Sequence, residues 1–135
     1  MSLFKVFNVS GSAVSAQSQR LNVVASNLAN AESVAGPDGQ PYKARQVVFQ
    51  TQVDGSDPAA AGVRVAKIVE DNAAPRRILD PNHPLADENG YVTMSNVNVV
   101  EEMVNMISAS RSYQSNIDVM NTAKSLLLKT LQLGT

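Results

Sequence analysis

The only histidine, His83, lies in the segment DPNHPLADENG (80–90), between the carboxylates of Asp80 and Asp87. An imidazole flanked by carboxylates could ligate a metal or act as a general base. A metal site needs further donors at ligand spacing, and the chain has no second histidine and no cysteine. His83 therefore reads as a turn residue between Pro81 and Pro84. The run Asp87-Glu88-Asn89-Gly90 has the acids of a calcium loop but lacks the alternating ligands and the distal Glu. It reads as a hairpin turn. No serine sits in a Gly-x-Ser-x-Gly elbow, and no Gly-rich loop could cradle a phosphate. The sequence predicts no enzyme, no metal, no cofactor and no small-molecule substrate.

A different pair of residues asks for a physical role. The stretch LNVVASNLANAES (21–33) places Asn27 and Asn30 three apart on one helix face, where the helix should end. Asparagine forms helices poorly and terminates them well. Asn30, or Ala31 beyond it, suffices to stop the helix. Asn27 then has a free amide with both donor and acceptor. One reading is that it bonds groups across a subunit or helix boundary and fixes register, as a polar seam residue does in a coiled coil. The other is that both asparagines cap locally.

These residues must be positioned by helices. From Leu3 to Ala31 there is no Pro and one Gly, Gly11. Phe7, Val14, Leu21 and Leu28 recur every seven residues, with Val24 offset on the same side. That is a coiled-coil type of seam. Ser10 and Gln17 occupy alternate positions, so the helix should be marginal without a partner. The last third reads as a stronger helix. Asn98 is an N-cap candidate, with Glu101 three residues on and Glu102 also in the favourable first turn. Val100, Met103, Ile107, Ile117, Leu128 and Leu131 form one stripe. Val99, Met106, Tyr113, Met120 and Leu127 broaden it, and Gly134 closes the helix.

The middle, Val34 to Val97, holds all six prolines and most of the glycines. Tyr42–Gln50, Gly62–Val69 and Tyr91–Met94 have strand character, and DGSDPAAAG (54–62) is a loop. The resulting expectation is an α+β chain: an N-terminal helix in 1–33, a small β-rich domain in 34–98, and a C-terminal helix in 99–135. The two long helices should pair as a coiled coil, since neither can bury its stripe alone.

Composition narrows the partners. The 135 residues carry a net charge of −1, and the largest basic cluster is Arg76-Arg77. A nucleic-acid surface needs a basic stripe, so no nucleic acid is expected. No run approaches the roughly 20 apolar residues of a membrane span, so no membrane insertion is expected. No basic n-region precedes an apolar h-region, so no cleaved signal is expected. Three Phe, three Tyr and no Trp leave few large anchors for a compact centre. Long helix stripes at opposite ends of such a chain favour helix pairing plus contacts to other subunits.

The asparagine segment, together with a matching C-terminal helix, resembles the signature of the bacterial flagellar axial proteins, the rod, hook and hook-associated subunits. YKARQVVFQ (42–50), DPNHPLADENGYV (80–92), VEEMVNMISASRSYQSN (100–116) and KTLQLGT (129–135) are similar to the short proximal-rod members. Val34–Gln40 intervenes before Pro41-Tyr42-Lys43, where larger members turn at once, and no large outer domain is present. Glu32 stands where a shorter Asp or Asn is commoner. The resemblance implies a structural subunit of the basal-body proximal rod, which carries torque from motor to hook. It implies passage through the flagellar type III export apparatus without signal cleavage, and assembly in the periplasm with copies of itself and neighbouring rod proteins. The assembly residues it suggests are Phe7, Val14, Leu21, Val24, Asn27, Leu28, Asn30, Met103, Ile107, Tyr113, Ile117, Leu128 and Leu131. The alternatives are another short flagellar rod protein or, in a different class, a soluble coiled-coil adaptor or chaperone.

Overall fold

The computed structural model describes every residue except Met1, Asp54 and Thr135. The termini of the expected outer segments, and Asp54 of the expected loop, thus lie outside the described residues. The N-terminal segment forms α1, Leu3–Ala29. The Ser2 hydroxyl accepts the Lys5 amide at 3.2 Å and satisfies one orphan donor of the first turn. Asn30 ends the helix. Its backbone N–H reaches the Ser26 and Asn27 carbonyls, and its Nδ2 donates to the Ser26 carbonyl at 2.9 Å.

The last third forms α2, Val99–Leu133. The Asn98 side chain accepts the Glu101 amide at 3.1 Å, and the Gly134 amide closes onto the Thr130 carbonyl. At 1.5 Å per residue, α1 is about 40 Å long and α2 about 50 Å. They pack antiparallel. Asn27 near the end of α1 bonds Glu102 at the start of α2, while Leu3 shares a groove with Ala123.

Between the helices, β1 (Arg45–Gln52) and β2 (Gly62–Glu70) form an antiparallel pair with a bulge between Val48 and Phe49. This hairpin lies on α1, which becomes the middle layer between hairpin and α2. The approach is close at one crossing. The Ser12 hydroxyl accepts the Val63 amide at 3.1 Å, and a Cβ on Gly62 would stand 2.7 Å from that oxygen. Only glycine fits there without a shift. The described part of the loop joining the strands carries a 3-10 turn, Pro58–Ala60, capped by Asp57.

A second, smaller pair joins β3 (Arg77–Leu79) to β4 (Tyr91–Thr93). The sequence showed β4, which follows the turn at 87–90, but not β3, which only its pairing with β4 makes a strand. Met94 adds one bridge to Val34, which ties the segment after α1 to this pair.

The helix faces are used differently from the apolar pattern. The buried residues of α1 are Ser10, Ala16, Val24 and Asn27. Phe7 is exposed, and Val14, Leu21 and Leu28 are half-buried. On α2 the buried residues Glu102, Ala109 and Ala123, with half-buried Asn116, fall at strict seven-residue spacing. Met106, Tyr113, Met120 and Leu127 flank them, half-buried. The stripe Val100, Met103, Ile107, Leu128 and Leu131 is exposed, and only Ile117 within it is half-buried. The helices do meet, but α2 does not spend this stripe on α1. Small residues permit close approach at the centre of the contact, which leaves the bulky stripe outside it. The total accessible surface is 8890 Å². A compact monomer of 14.4 kDa exposes about 6,800 Å² by the usual scaling. The excess marks a rod-like shape with unused apolar surface.

Candidate functional site

Where the end of α1, the start of β1 and the start of α2 converge, Asn27 is 0 % exposed. Its Oδ1 accepts the Arg45 amide at 2.9 Å and the Tyr42 hydroxyl at 2.8 Å. Its Nδ2 donates to the Arg45 carbonyl at 2.8 Å and to Glu102 Oε2 at 3.1 Å. The amide has two acceptor sites and two donor sites, and all four are filled. Paired to both backbone groups of Arg45, it mimics a strand neighbour at the first residue of β1. The Ser26 hydroxyl lies 3.2 Å from the Tyr42 hydroxyl, and the Arg45 guanidinium lies over the Tyr42 ring at 5.8 Å.

Asn27 therefore bonds across helix boundaries, and these partners all lie in its own chain. Asn30 caps locally. The spacing of the two asparagines is that of a lock and a stop placed one turn apart. Glu102, read from sequence as a residue favoured by the helix dipole, is buried and completes the lock. A cleft of about 240 Å³ opens beside it, lined by Arg20, Arg45, Glu101 and Asn105 among others.

A second set of bonds sits just past the helix end. The Ala31 carbonyl accepts Arg76 Nη2 at 2.7 Å and the buried Ser95 hydroxyl at 2.8 Å. Asn96 Oδ1 accepts the Ala44 amide at 2.7 Å, and its Nδ2 donates to the Asp71 and Ala73 carbonyls. Ala31, Ala44 and Val97 form the small apolar core here, with Tyr42 and Val99 packed against it. Exposed Glu32 lies 3.9 Å from the Arg76 guanidinium. Sequence reasoning missed Tyr42, Arg45, Arg76, Ser95, Asn96 and the pairing of Glu102. Tyr42, Arg45 and Glu102 stood in stretches already singled out, but nothing in spacing brings residues so far apart together.

The residues first weighed for chemistry are turn-forming. His83 Nδ1 accepts the Leu85 amide at 3.0 Å. Asp87 Oδ1 accepts the Tyr91 and Asn89 amides at 2.8 and 2.9 Å, and its Oδ2 takes Arg77 Nη2 at 2.7 Å. The Tyr91 amide first, then the Asn89 amide and Arg77, hold the Asp87 carboxyl below its ordinary 3.8. Gly90 at φ 81° takes the left-handed position the turn needs. Among the described residues no group of His, Cys, Asp or Glu could hold a metal ion, and no helix is long and apolar enough to cross a membrane.

Of the thirteen suggested assembly residues, only Val24 and Asn27 are buried. Val14, Leu21, Leu28, Asn30, Tyr113 and Ile117 are half-buried, while Phe7, Met103, Ile107, Leu128 and Leu131 are exposed.

Comparison with known proteins matches the two helical ends to two family models. "Flagella basal body rod protein" covers residues 7–37, and "Flagellar basal body rod FlgEFG protein C-terminal" covers residues 88–133. Over 134 residues, 99 % of both chains, this chain is 62 % identical to the flagellar basal-body rod protein FlgC of Yersinia enterocolitica. It is 60 % identical to that of Salmonella typhimurium and 49 % to that of Buchnera aphidicola of Schizaphis graminum, again over 99 % of both chains. The chain belongs to the FlgC family of flagellar basal-body rod proteins. It is a structural rod subunit and not an enzyme. Membership in the rod family implies assembly with other rod and hook proteins. The two matched segments of this family carry Asn27 and Glu102, whose side chains bond each other in the lock.

Proposed function

We propose that this subunit works in the proximal rod, as a stiff helix pair held at one end by the Asn27 lock and presenting its unused apolar faces to neighbours. The observation that carries this reading is the exposed stripe on α2. Met103, Ile107, Leu128 and Leu131 stay more than half exposed or at half exposure, although a shorter polar residue at each would serve a solvated helix better. Phe7 on α1 belongs to the same set. The half-buried Val14, Leu21, Leu28, Tyr113 and Ile117 would complete such contacts, while Val24, Asn27 and Asn30 shape the subunit that makes them.

A chain that passes the flagellar type III export apparatus must be threaded unfolded and refold in the periplasm. The buried positions of the two helices suit this, being Ser10, Ala16, Val24 and Asn27 on α1 and Glu102, Ala109 and Ala123 on α2, with few large groups. Gln17 Oε1 is even buried without a hydrogen-bond partner among the described residues, a costly feature for a seam. Absence of cysteine removes the risk of a premature disulfide in the periplasm. Torque from motor to hook would then pass through side-to-side packing of such rods.

The test is complementation of a flagellated strain lacking its own FlgC-family rod protein. The chain should be found outside the cytoplasm at its full length, and swimming in soft agar should return. Chain secreted at normal level without any recovery of rods would rule the reading out.

A further inference from the structure

The turn Asp87-Glu88-Asn89-Gly90, too poor in ligands for calcium, holds a different chemistry. Of all the asparagines in the chain, only Asn89 is followed by glycine. With no Cβ beside it, a glycine nitrogen can approach the side-chain carbonyl of a preceding asparagine closely. In that reaction the Gly90 nitrogen bonds to Cγ of Asn89 and gives up its proton to base in the solvent. The Cγ–Nδ2 bond breaks, and ammonia leaves. Water then opens the cyclic imide at either carbonyl, which leaves an aspartate or an isoaspartate at position 89. Nothing is oxidised or reduced: water enters and ammonia departs.

In the folded chain the electrophile is open and the nucleophile is held. Asn89 is exposed, and its side chain has no hydrogen-bond partner among the described residues. Gly90 is buried, and its N–H donates to the Asp87 carbonyl at 3.0 Å. The peptide groups on both sides are fixed as well. Asp87 Oδ1 accepts the Asn89 and Tyr91 amides, and the Gly90 carbonyl accepts the Asp80 amide at 2.9 Å. Pro81 closes in from another side, its Cγ 3.1 Å from where a Cβ on Gly90 would stand. To attack Cγ, the Gly90 nitrogen must swing out of this frame and lose the proton that the Asp87 carbonyl holds. The Asp87 carboxylate, bonded to the amides on either side, opposes the negative charge that develops on that nitrogen.

We infer that Asn89–Gly90 is a self-modification site gated by folding: the closed turn holds off deamidation, and the chain deamidates there only when opened or unfolded. The gate goes beyond the rod reading and does not depend on it. Either product adds a carboxylate beside Asp87 and Glu88. The isoaspartyl product also lengthens the main chain by one methylene, inside the turn that leads Leu79 back to its partner Tyr91. The site therefore marks chains that have lingered unfolded.

Parallel incubation of the full-length chain in mildly alkaline buffer, native and in guanidinium chloride, tests the gate. Peptide mass spectrometry follows the amide-to-acid change at each asparagine. In denaturant Asn89 should convert before any other asparagine. In the native chain it should convert at least about tenfold more slowly, since reaction waits on a local opening. The variant Asp87→Ala removes the carboxylate that holds the Asn89 and Tyr91 amides, and it touches neither long helix. Its native form, checked for helicity by circular dichroism, should lose most of the protection, judged against its own denatured rate. Equal rates for the native and denatured parent chain would overturn the inference, whether or not the variant folds. So would another asparagine reacting first in denaturant, or undiminished protection in folded Asp87→Ala.

Discussion

At the scale of single residues, Asn27 and Asn30 look alike in sequence and act differently. Replacing Asn27 by Leu takes their partner from the Arg45 amide and carbonyl and the Glu102 carboxylate, and leaves the Tyr42 hydroxyl with Ser26 alone. Each buried unsatisfied group costs about 1–3 kcal/mol. The total is a large part of the roughly 5–15 kcal/mol that a domain has. Asn27→Leu should therefore lower the unfolding free energy of the isolated chain by at least about 3 kcal/mol. Asn30→Gly forfeits one bond to the Ser26 carbonyl, worth about 0.5–1.5 kcal/mol. Asn30 sits at φ −104°, so glycine gains nothing from left-handed freedom there. Urea unfolding of both variants decides the matter, and equal losses would contradict the separate roles.

Asp87 gives a second residue-scale expectation. Its folded pKa lies below its unfolded value, so its contribution is present above about 3.8 and disappears as pH falls through the lower folded value. The carboxyl carbon followed by NMR should titrate below 3.8. Arg77→Ala should move that midpoint up only slightly, because the Tyr91 amide is the larger cause. A midpoint at the ordinary value would mean the Asx turn is open in solution.

At the scale of elements, the exposed end of α2 separates folding from assembly. Deleting residues 129–135 removes Leu131 and Leu133 but touches neither the Asn27 lock nor the groove beside Leu3. Surface changes of this kind usually alter stability by within about 0.5 kcal/mol. The truncated chain should unfold at nearly the same urea concentration as the intact one, and it should fail to restore swimming. Normal swimming would show that the tip is not an assembly contact. Elements also set what could be read in advance. Both helices were legible because caps at Asn30, Asn98 and Gly134 coincide with long periodic patterns. β3 was not, since the pairing of Arg77–Leu79 with Tyr91–Thr93 is what makes it a strand.

At the scale of the whole molecule, stability should be graded along the helix pair. The lock end has a buried polar network and the Ala31–Ala44–Val97 core. The opposite end has a seam of small residues and exposed Phe4 and Phe7. Hydrogen exchange of the free chain should be faster over Leu3–Ser18 than over Val24–Ala29, and both should be protected in assembled rods. Uniform strong protection of α1 in the free chain would remove the case for ordering on assembly.

The sequence by itself determined the α+β order, both long helices, the stop at Asn30 and the lack of any metal or nucleophile pattern. Those features are local: caps, periodicity and composition act within a few residues of one another. It also carried the family resemblance, in stretches that the comparisons then matched. Only the tertiary structure decided which helix face is spent inside the chain. Apolar periodicity marks a surface that wants burial without saying what buries it. On α2 the inward line is Glu102, Ala109, Asn116 and Ala123, whose small or polar side chains give no hydrophobic signal. Likewise the bond between Asn27 and Glu102 joins residues 75 apart in the chain, and only the fold puts an amide and a carboxylate at 3.1 Å.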